Sequence, residues 1–252
     1  MENTKKQSLP VAVVTGGAGG IGAAVSEALA LAGYFTVVLY HSGKNRALSL
    51  CDTLRAKGCA CTSLFADVAE EASVQNAVGQ ILEQHKKIDL LVNCAGIAQN
   101  GLLTDRTCAQ WQHLMQINFG GVLHTTHAVY PAMVHQKSGV IINIGSIWGE
   151  SGASCEAVYS ASKGAVIAFS RAMAAELAPS GIRVLCVCPG VIDTPMLDCY
   201  TDEEKQALAA ATPLGRLGTP QDVADAVLYL ARASFLTGTV LRVDGGLLPF
   251  GI

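Results

Sequence analysis

The chain has 252 residues; half are hydrophobic, 15% are charged, 6% are aromatic, and the formal net charge is −3. This length suits one large α/β domain, and the apolar content suits a large core. There is no Lys/Arg cluster to leave a nucleic-acid footprint and no apolar run of the roughly 18 residues that spans a bilayer.

The opening MENTKKQSLP lacks the apolar centre of a secretory signal, so a soluble, cytoplasmic protein is expected. Nine cysteines are present without a CxxC pair. Cys59 and Cys61, like Cys186 and Cys188, are two apart in β-like runs and share a strand face. Reduced, mostly buried thiols are expected.

Taken in order, apolar β-like runs alternate with helical segments. Runs at 11–15, 35–40, 61–66, 89–95, 139–146, 182–190 and 238–246 are predicted strands. The segments 20–32, 44–57, 70–85, 107–135, 156–178, 201–211 and 220–232 are predicted helices. Several strands are continuously apolar, as when helices cover both sheet faces. The alternation predicts a single α/β domain over 1–252, with a seven-stranded, parallel, doubly wound sheet. Helix ends are marked by Gly33 after Ala32, by Pro179 after Ala178, and by Thr219 before Pro220 as N-cap and first helical residue.

Residues 15–22, TGGAGGIG, join the first strand to the first helix. Gly16, Gly20 and Gly22 allow a sharp turn, close approach of a pyrophosphate and tight helix packing. The helix N-terminus offers free N–H groups to phosphate. The spacing is TGxxxGxG rather than GxGxxG. With NCAG at 93–96, Ser146, YSASK at 159–163 and PG at 189–190, the chain resembles the short-chain dehydrogenase/reductase family over essentially its whole length.

That resemblance implies a Rossmann-like fold and a nicotinamide cofactor. It places Thr15, the loop glycines and Ile21 at the cofactor, with Asp67 at the adenine and Val68 supplying backbone. Asn93, Ala95 and Gly96 end the fourth strand, where Cys94 replaces the family's usual second Asn. Pro189, Gly190 and Ile192 continue the cofactor wall, and Thr194 holds the carboxamide. Strand two ends VVLYHSGKNR with no acid at Leu39, Tyr40 or His41. Ser42, Lys44 and Arg46 follow, and a hydroxyl with cations suits a 2′-phosphate. NADP(H) is therefore expected over NAD(H).

Tyr159 and Lys163, four apart, share one helix face. A lysine cation about 4 Å from the phenol contributes on the order of 4 kcal/mol at an effective dielectric near 20. That lowers the tyrosine pKa by up to about 3 units, into the range useful for proton transfer. In the resembling mechanism Tyr159 donates the proton, Ser146 polarises the carbonyl, Lys163 tunes the phenol and holds the ribose, and Asn118 of QINFGG holds a relay water. A cofactor-binding regulator would be expected to lack one of these four; all are present.

Other residues carry weaker signals. His124 and His127, three apart, lack a third metal ligand and read as helix-surface histidines. Cys155 precedes the catalytic helix without a flanking base. Residues 191–217 resemble a substrate lid, and 147–156 are expected to touch substrate from the opposite wall.

The stretches ELAPSGIRV, PLGRLGTPQDVADAVLYLA and LTGTVLRVDGG resemble 3-oxoacyl-acyl-carrier-protein reductases. An acidic carrier would want basic residues such as Lys205 and Arg216 at the entrance. SIWGESGASCE resembles a bacterial subgroup that reduces a 5-aminopentanone group on a lysine of elongation factor P. There, Glu150 or Glu156 is expected to face the amine. Segments 107–135 and 156–178 keep apolar residues on more than one face; the resemblance implies that these helices pack between subunits, in a homotetramer.

Overall fold

Strand β1 (Val11–Thr15) and β2 (Phe35–Tyr40) flank α1 (Gly20–Leu31) in sequence. α2 (Lys44–Ala56), β3 (Cys61–Phe65), α3 (Glu71–His85) and β4 (Leu90–Asn93) follow. The second half runs through α4 (Cys108–Met115), α5 (Gly121–Gln136), β5 (Gly139–Ile144), α6 (Trp148–Ser151) and α7 (Ala157–Leu177). It ends in β6 (Ile182–Pro189), α8 (Asp202–Ala211), α9 (Pro220–Arg232) and β7 (Val240–Val243). The computed structural model describes residues 9–248.

The seven strands form one sheet of order β3-β2-β1-β4-β5-β6-β7, and every pair is parallel. Both faces are buried, which explains the unbroken apolar runs. Val11, Val13, Leu91, Ile141 and Val184 pack towards α3, α5 and α7. Ala12, Val14, Val92, Ile142 and Val187 pack towards α1 and α9. The order reverses between β1 and β4, so the loops leaving their C-terminal ends diverge and open a crevice there.

The helix ends follow the predicted chemistry. Gly33 has φ +92° just past α1. Thr219 caps α9 in a reciprocal capping box with Asp222.

The predicted helix 107–135 is instead interrupted by a π-helical turn, Gln116–Gly120. The wider turn carries Asn118, whose side chain brackets the Ile97 backbone: Oδ1 accepts from Ile97 N at 2.8 Å and Nδ2 donates to Ile97 O at 2.9 Å. β4 stops at Asn93, short of the predicted 95, because Thr15 Oγ1 takes the amides of Cys94 and Ala95, both at 3.0 Å. β7 is shorter than 238–246, because Gly245 (φ +62°) and Gly246 (φ +84°) turn the chain beyond Val243. α6 was not predicted; four residues carry too little periodicity to show.

Candidate active site

A cleft of about 550 Å³ runs along the C-terminal ends of the strands. Its floor begins at the glycine loop. A Cβ on Gly22 would run into the Gly16 carbonyl oxygen, and one on Gly16 would lie 2.9 Å from the Ala95 Cα. Gly16 also has φ +61°. These glycines leave a backbone cradle at the start of α1, whose first turn carries no acid and whose N-cap residue Gly19 makes no side-chain bond. The cradle fits a phosphate group.

Of the residues picked from sequence, Gly16, Gly20, Ile21, Gly22, Ser42, Asp67 and Val68 line one end of the cleft. Ala95, Gly96, Lys163, Pro189, Gly190, Ile192 and Thr194 line its middle, and Ser146 and Tyr159 complete it. Thr15, Asn93 and Asn118 do not line it. They sit behind the wall as buried braces. Asn93 Nδ2 donates to Asn143 Oδ1 at 2.8 Å, and its Oδ1 accepts from Thr125 Oγ1 at 2.7 Å. Asn118 Nδ2 also donates to Ser162 Oγ at 3.1 Å, so its side chain is spoken for by protein groups.

The end of the cleft beside the start of α2 carries the cation Arg46 together with His41 and Asp67. His41, Ser42, Gly43 and Arg46 line it, while Lys44 does not. Arg46 folds over Gly43, where a Cβ would lie 3.2 Å from the guanidinium. His41 Nε2 stands 3.5 Å from Asp67 Oδ2. Asp67 does not serve as the N-cap of α3; Glu70 takes that position, and Asp67 Oδ1 accepts from Ala69 N at 2.9 Å.

At the other end, Ser146 follows β5, and its Oγ accepts from Trp148 N at 3.2 Å. Tyr159 and Lys163 project from α7. Lys163 is 5% exposed, and its Nζ donates to the Ile144 carbonyl at 2.9 Å. Gly96 lies beside it: an added Cβ would stand 3.5 Å from that Nζ, an ordinary contact, and 3.3 Å from Asn118 Oδ1, a tighter one.

The electrostatics depart from the sequence expectation. Burial pushes the Tyr159 phenol up to about 12, and a hydrogen bond from Ser146 opposes that rise. Burial also lowers the Lys163 pKa. The ammonium lies 5.9 Å from the tyrosine ring centroid and is turned to Ile144. In the protein alone, desolvation outweighs the lysine charge.

The wall 147–156 divides. Trp148, Ala153, Ser154 and Glu156 line the cleft. Ile147 is fully buried, and Cys155, with φ +63°, lies outside the cleft. Glu150 does not face substrate; it forms a salt bridge at 2.8 Å with Arg242. Arg216, expected at the entrance, is instead doubly bonded to Asp222 at 2.8 and 3.0 Å, and neither it nor Lys205 lines the cleft.

Sequence reasoning missed Asn100 and Tyr200, which meet at the cleft (Asn100 Nδ2 to Tyr200 OH, 3.1 Å) from positions 100 residues apart. No local pattern signals such a pair. His124 Nδ1 lies 2.9 Å from Val68 O, and no metal-binding group of three or more ligands occurs among the described residues. Cys186 and Cys188 are buried with sulfurs 3.9 Å apart on one strand face. No helix among the described residues is long and apolar enough to cross a membrane.

A glycine-cradled cleft at the switch point, closed by Ser146, Tyr159 and Lys163, defines an oxidoreductase of the doubly wound nucleotide-binding class. The family model described as short chain dehydrogenase matches residues 10–205, and the chain belongs to the short-chain dehydrogenase/reductase family. It is 40% identical over 238 residues to the oxidoreductase YmfI of Bacillus subtilis (strain 168), covering 93% of this chain and 97% of that one. It is 38% identical over 239 residues to the 3-oxoacyl-[acyl-carrier-protein] reductase FabG of Haemophilus influenzae, covering 94% and 97%. Among solved structures it is similar to that of gox2181, with TM-score 0.91, 38% identity and 96% of each chain covered. It is also similar to an actinorhodin polyketide ketoreductase variant solved with NADPH, with TM-score 0.91, 32% identity, and 96% of this chain and 98% of that one covered.

Proposed function

We propose that this protein reduces a ketone to a secondary alcohol with NADPH. The observation that carries the reading is the convergence of Ser146, Tyr159 and Lys163 on the cleft that starts at the glycine cradle. When bound, NADPH supplies the hydride. Ser146 hydrogen-bonds the carbonyl oxygen and Tyr159 donates its proton to it. Lys163 holds the ribose hydroxyls. Asn118 fixes the Ile97 backbone at the rim of the cleft and acts there as a brace, its amide being engaged by Ile97 and Ser162.

Preference for NADP(H) over NAD(H) rests on Arg46, Ser42 and His41 at the cleft and on the lack of an acid after β2. Arg46→Gln is expected to raise the KM for NADPH roughly tenfold or more, the worth of a charge-assisted bond. The KM for NADH stays near its original value. Initial rates with both cofactors check this, and a wild-type preference for NADH contradicts it.

The substrate reading that follows the relatives' names is a 3-oxoacyl thioester, carried by acyl-carrier protein. Glu156 favours a second reading, the aminopentanone on elongation factor P. It lines the cleft with Trp148 and Tyr200, its side chain has no hydrogen bond or ion pair among the described residues, and burial raises its pKa. An ammonium would restore the ionised form. NADPH oxidation with acetoacetyl-CoA and with modified elongation factor P separates the two. If the second holds, Glu156→Gln lowers kcat/KM on the amino ketone by roughly tenfold and leaves acetoacetyl-CoA unaffected. A wild-type enzyme active on the thioester alone contradicts it.

The same reading includes a homotetramer, supported by Leu123 and Val134 standing exposed on α5. Part of the second apolar face is covered within the chain, where Phe119 meets Phe169 edge-on at 6.0 Å.

A further inference from the structure

We propose that the Glu150–Arg242 ion pair is a positioning device for proton transfer: it pins α6, and through it Ser146, to the edge strand β7. The proposal rests on the ketone-reductase reading of the cleft.

Arg242 lies on β7, paired in register with Cys188 of β6. Its Nε donates to both Glu150 carboxylate oxygens at 3.0 and 3.2 Å, and its Nη2 donates to Oε2 at 2.8 Å. Glu150 as a whole residue is exposed, but its side chain is 18% exposed and that of Arg242 30%. A forked, partly buried arginine–carboxylate pair is both stronger and more directional than a rim pair.

The opposite side of α6 is clamped by backbone. A Cβ on Gly149 would lie 2.6 Å from the Lys163 carbonyl carbon and 2.8 Å from the Gly164 amide nitrogen. α6 therefore lies flat on α7 at the lysine of the site. Its four residues are far too few to hold a helix alone, so its place depends on these two clamps and on its N-cap Ile147, which is fully buried and donates its amide to Pro189 O at 3.1 Å.

The path from Glu150 to Ser146 is one turn long. Gly149 N donates to Ser146 O at 3.0 Å, Glu150 N donates to Ile147 O at 3.0 Å, and Trp148 N donates to Ser146 Oγ at 3.2 Å. Ser146 and Tyr159 line the same cleft, and Ser146 opposes the rise in the phenol's pKa. Releasing the carboxylate loosens the turn that orients the serine hydroxyl, while the glycine cradle and the Arg46 end stay intact.

The test combines amide hydrogen exchange with kinetics on the full chain. In Glu150→Gln the amides of 148–152 are expected to exchange roughly tenfold faster. Turnover with NADPH and acetoacetyl-CoA, or whichever ketone the wild type reduces, falls on the order of tenfold. The Kd for NADPH is unchanged, which a general loss of stability would not give. Arg242→Gln should reproduce both effects, and the double variant should be no worse than either single one. Unchanged exchange, faster exchange with unaltered kcat, or losses that add in the double variant would overturn the proposal. A wild-type protein that reduces no carbonyl refutes the reductase reading instead, and the exchange data then decide the pinning alone.

Discussion

Tyr159→Phe is expected to lower kcat by about 10²–10⁴-fold, the range a positioned proton donor contributes, with the fold and the Kd for NADPH preserved. The substitution removes one hydroxyl from a ring that stays packed on α7, so no large cavity results. Ser146 and Lys163 remain, and their residual polarisation leaves a measurable background rate. The pH dependence follows from the phenol's elevated pKa of about 12. Reduction uses the protonated phenol, which is fully populated below that value, so Tyr159 imposes no fall in rate from about pH 6 to 9. Oxidation uses the phenolate, so its rate rises about tenfold per pH unit over the same interval. Pre-steady-state rates in both directions, for wild type and variant, check this. A Tyr159→Phe enzyme with near-normal turnover removes the mechanism.

Gly22→Ala is expected to weaken NADPH binding on the order of 10–100-fold, equivalent to about 1–3 kcal/mol of overpacking. The added methyl meets the backbone carbonyl of Gly16, which has no rotamer by which to move aside. Relief requires α1 to lift from the loop, which opens the cradle that the phosphate needs. Gly33→Ala makes a useful contrast: it has no neighbour within 4 Å, and its φ of +92° makes its cost one of backbone strain far from the cleft. Fluorescence titration with NADPH distinguishes them. Gly22→Ala binding at wild-type strength means the loop is not the phosphate cradle.

Much of this architecture was legible because it is local. The unbroken apolar strands announced a sheet covered on both faces, and Thr219-Pro220 announced the start of α9. The glycine spacing and the Tyr159–Lys163 interval each mark a feature made by one turn of chain. What escaped was made by distant residues. Glu150 reads as a free acid until Arg242, 92 positions later, is placed beside it. Arg216 reads as an entrance cation until Asp222 occupies it. The π turn carries Asn118 onto the Ile97 backbone, 21 positions earlier, a pairing that helical periodicity does not encode. The lysine effect on Tyr159 was overestimated for the same reason: spacing on a helix gives a shared face, not the burial of both groups or the direction of Nζ towards Ile144.

The residues proposed for proton transfer and the glycine cradle lie on one cleft, while the wall proposed to meet substrate reduces to Trp148, Ala153, Ser154 and Glu156 with Met196, Leu197 and Tyr200. Glu156, whose side chain has no hydrogen bond or ion pair among the described residues, is the feature on which the two proposed substrates, a thioester and an amine-bearing ketone, divide.

The central claim is hydride transfer to a carbonyl carbon with Tyr159 as proton donor. It is tested most directly by incubating the protein with NADPH deuterated at the transferable nicotinamide position and a panel holding acetoacetyl-CoA and the aminopentanone of elongation factor P. Mass spectrometry then locates the label. The expected result is one deuterium on the carbinol carbon of the product alcohol with the wild-type protein, and almost none with Tyr159→Phe. Tight NADPH binding without label in any alcohol, or equal labelling by the variant, would contradict the account.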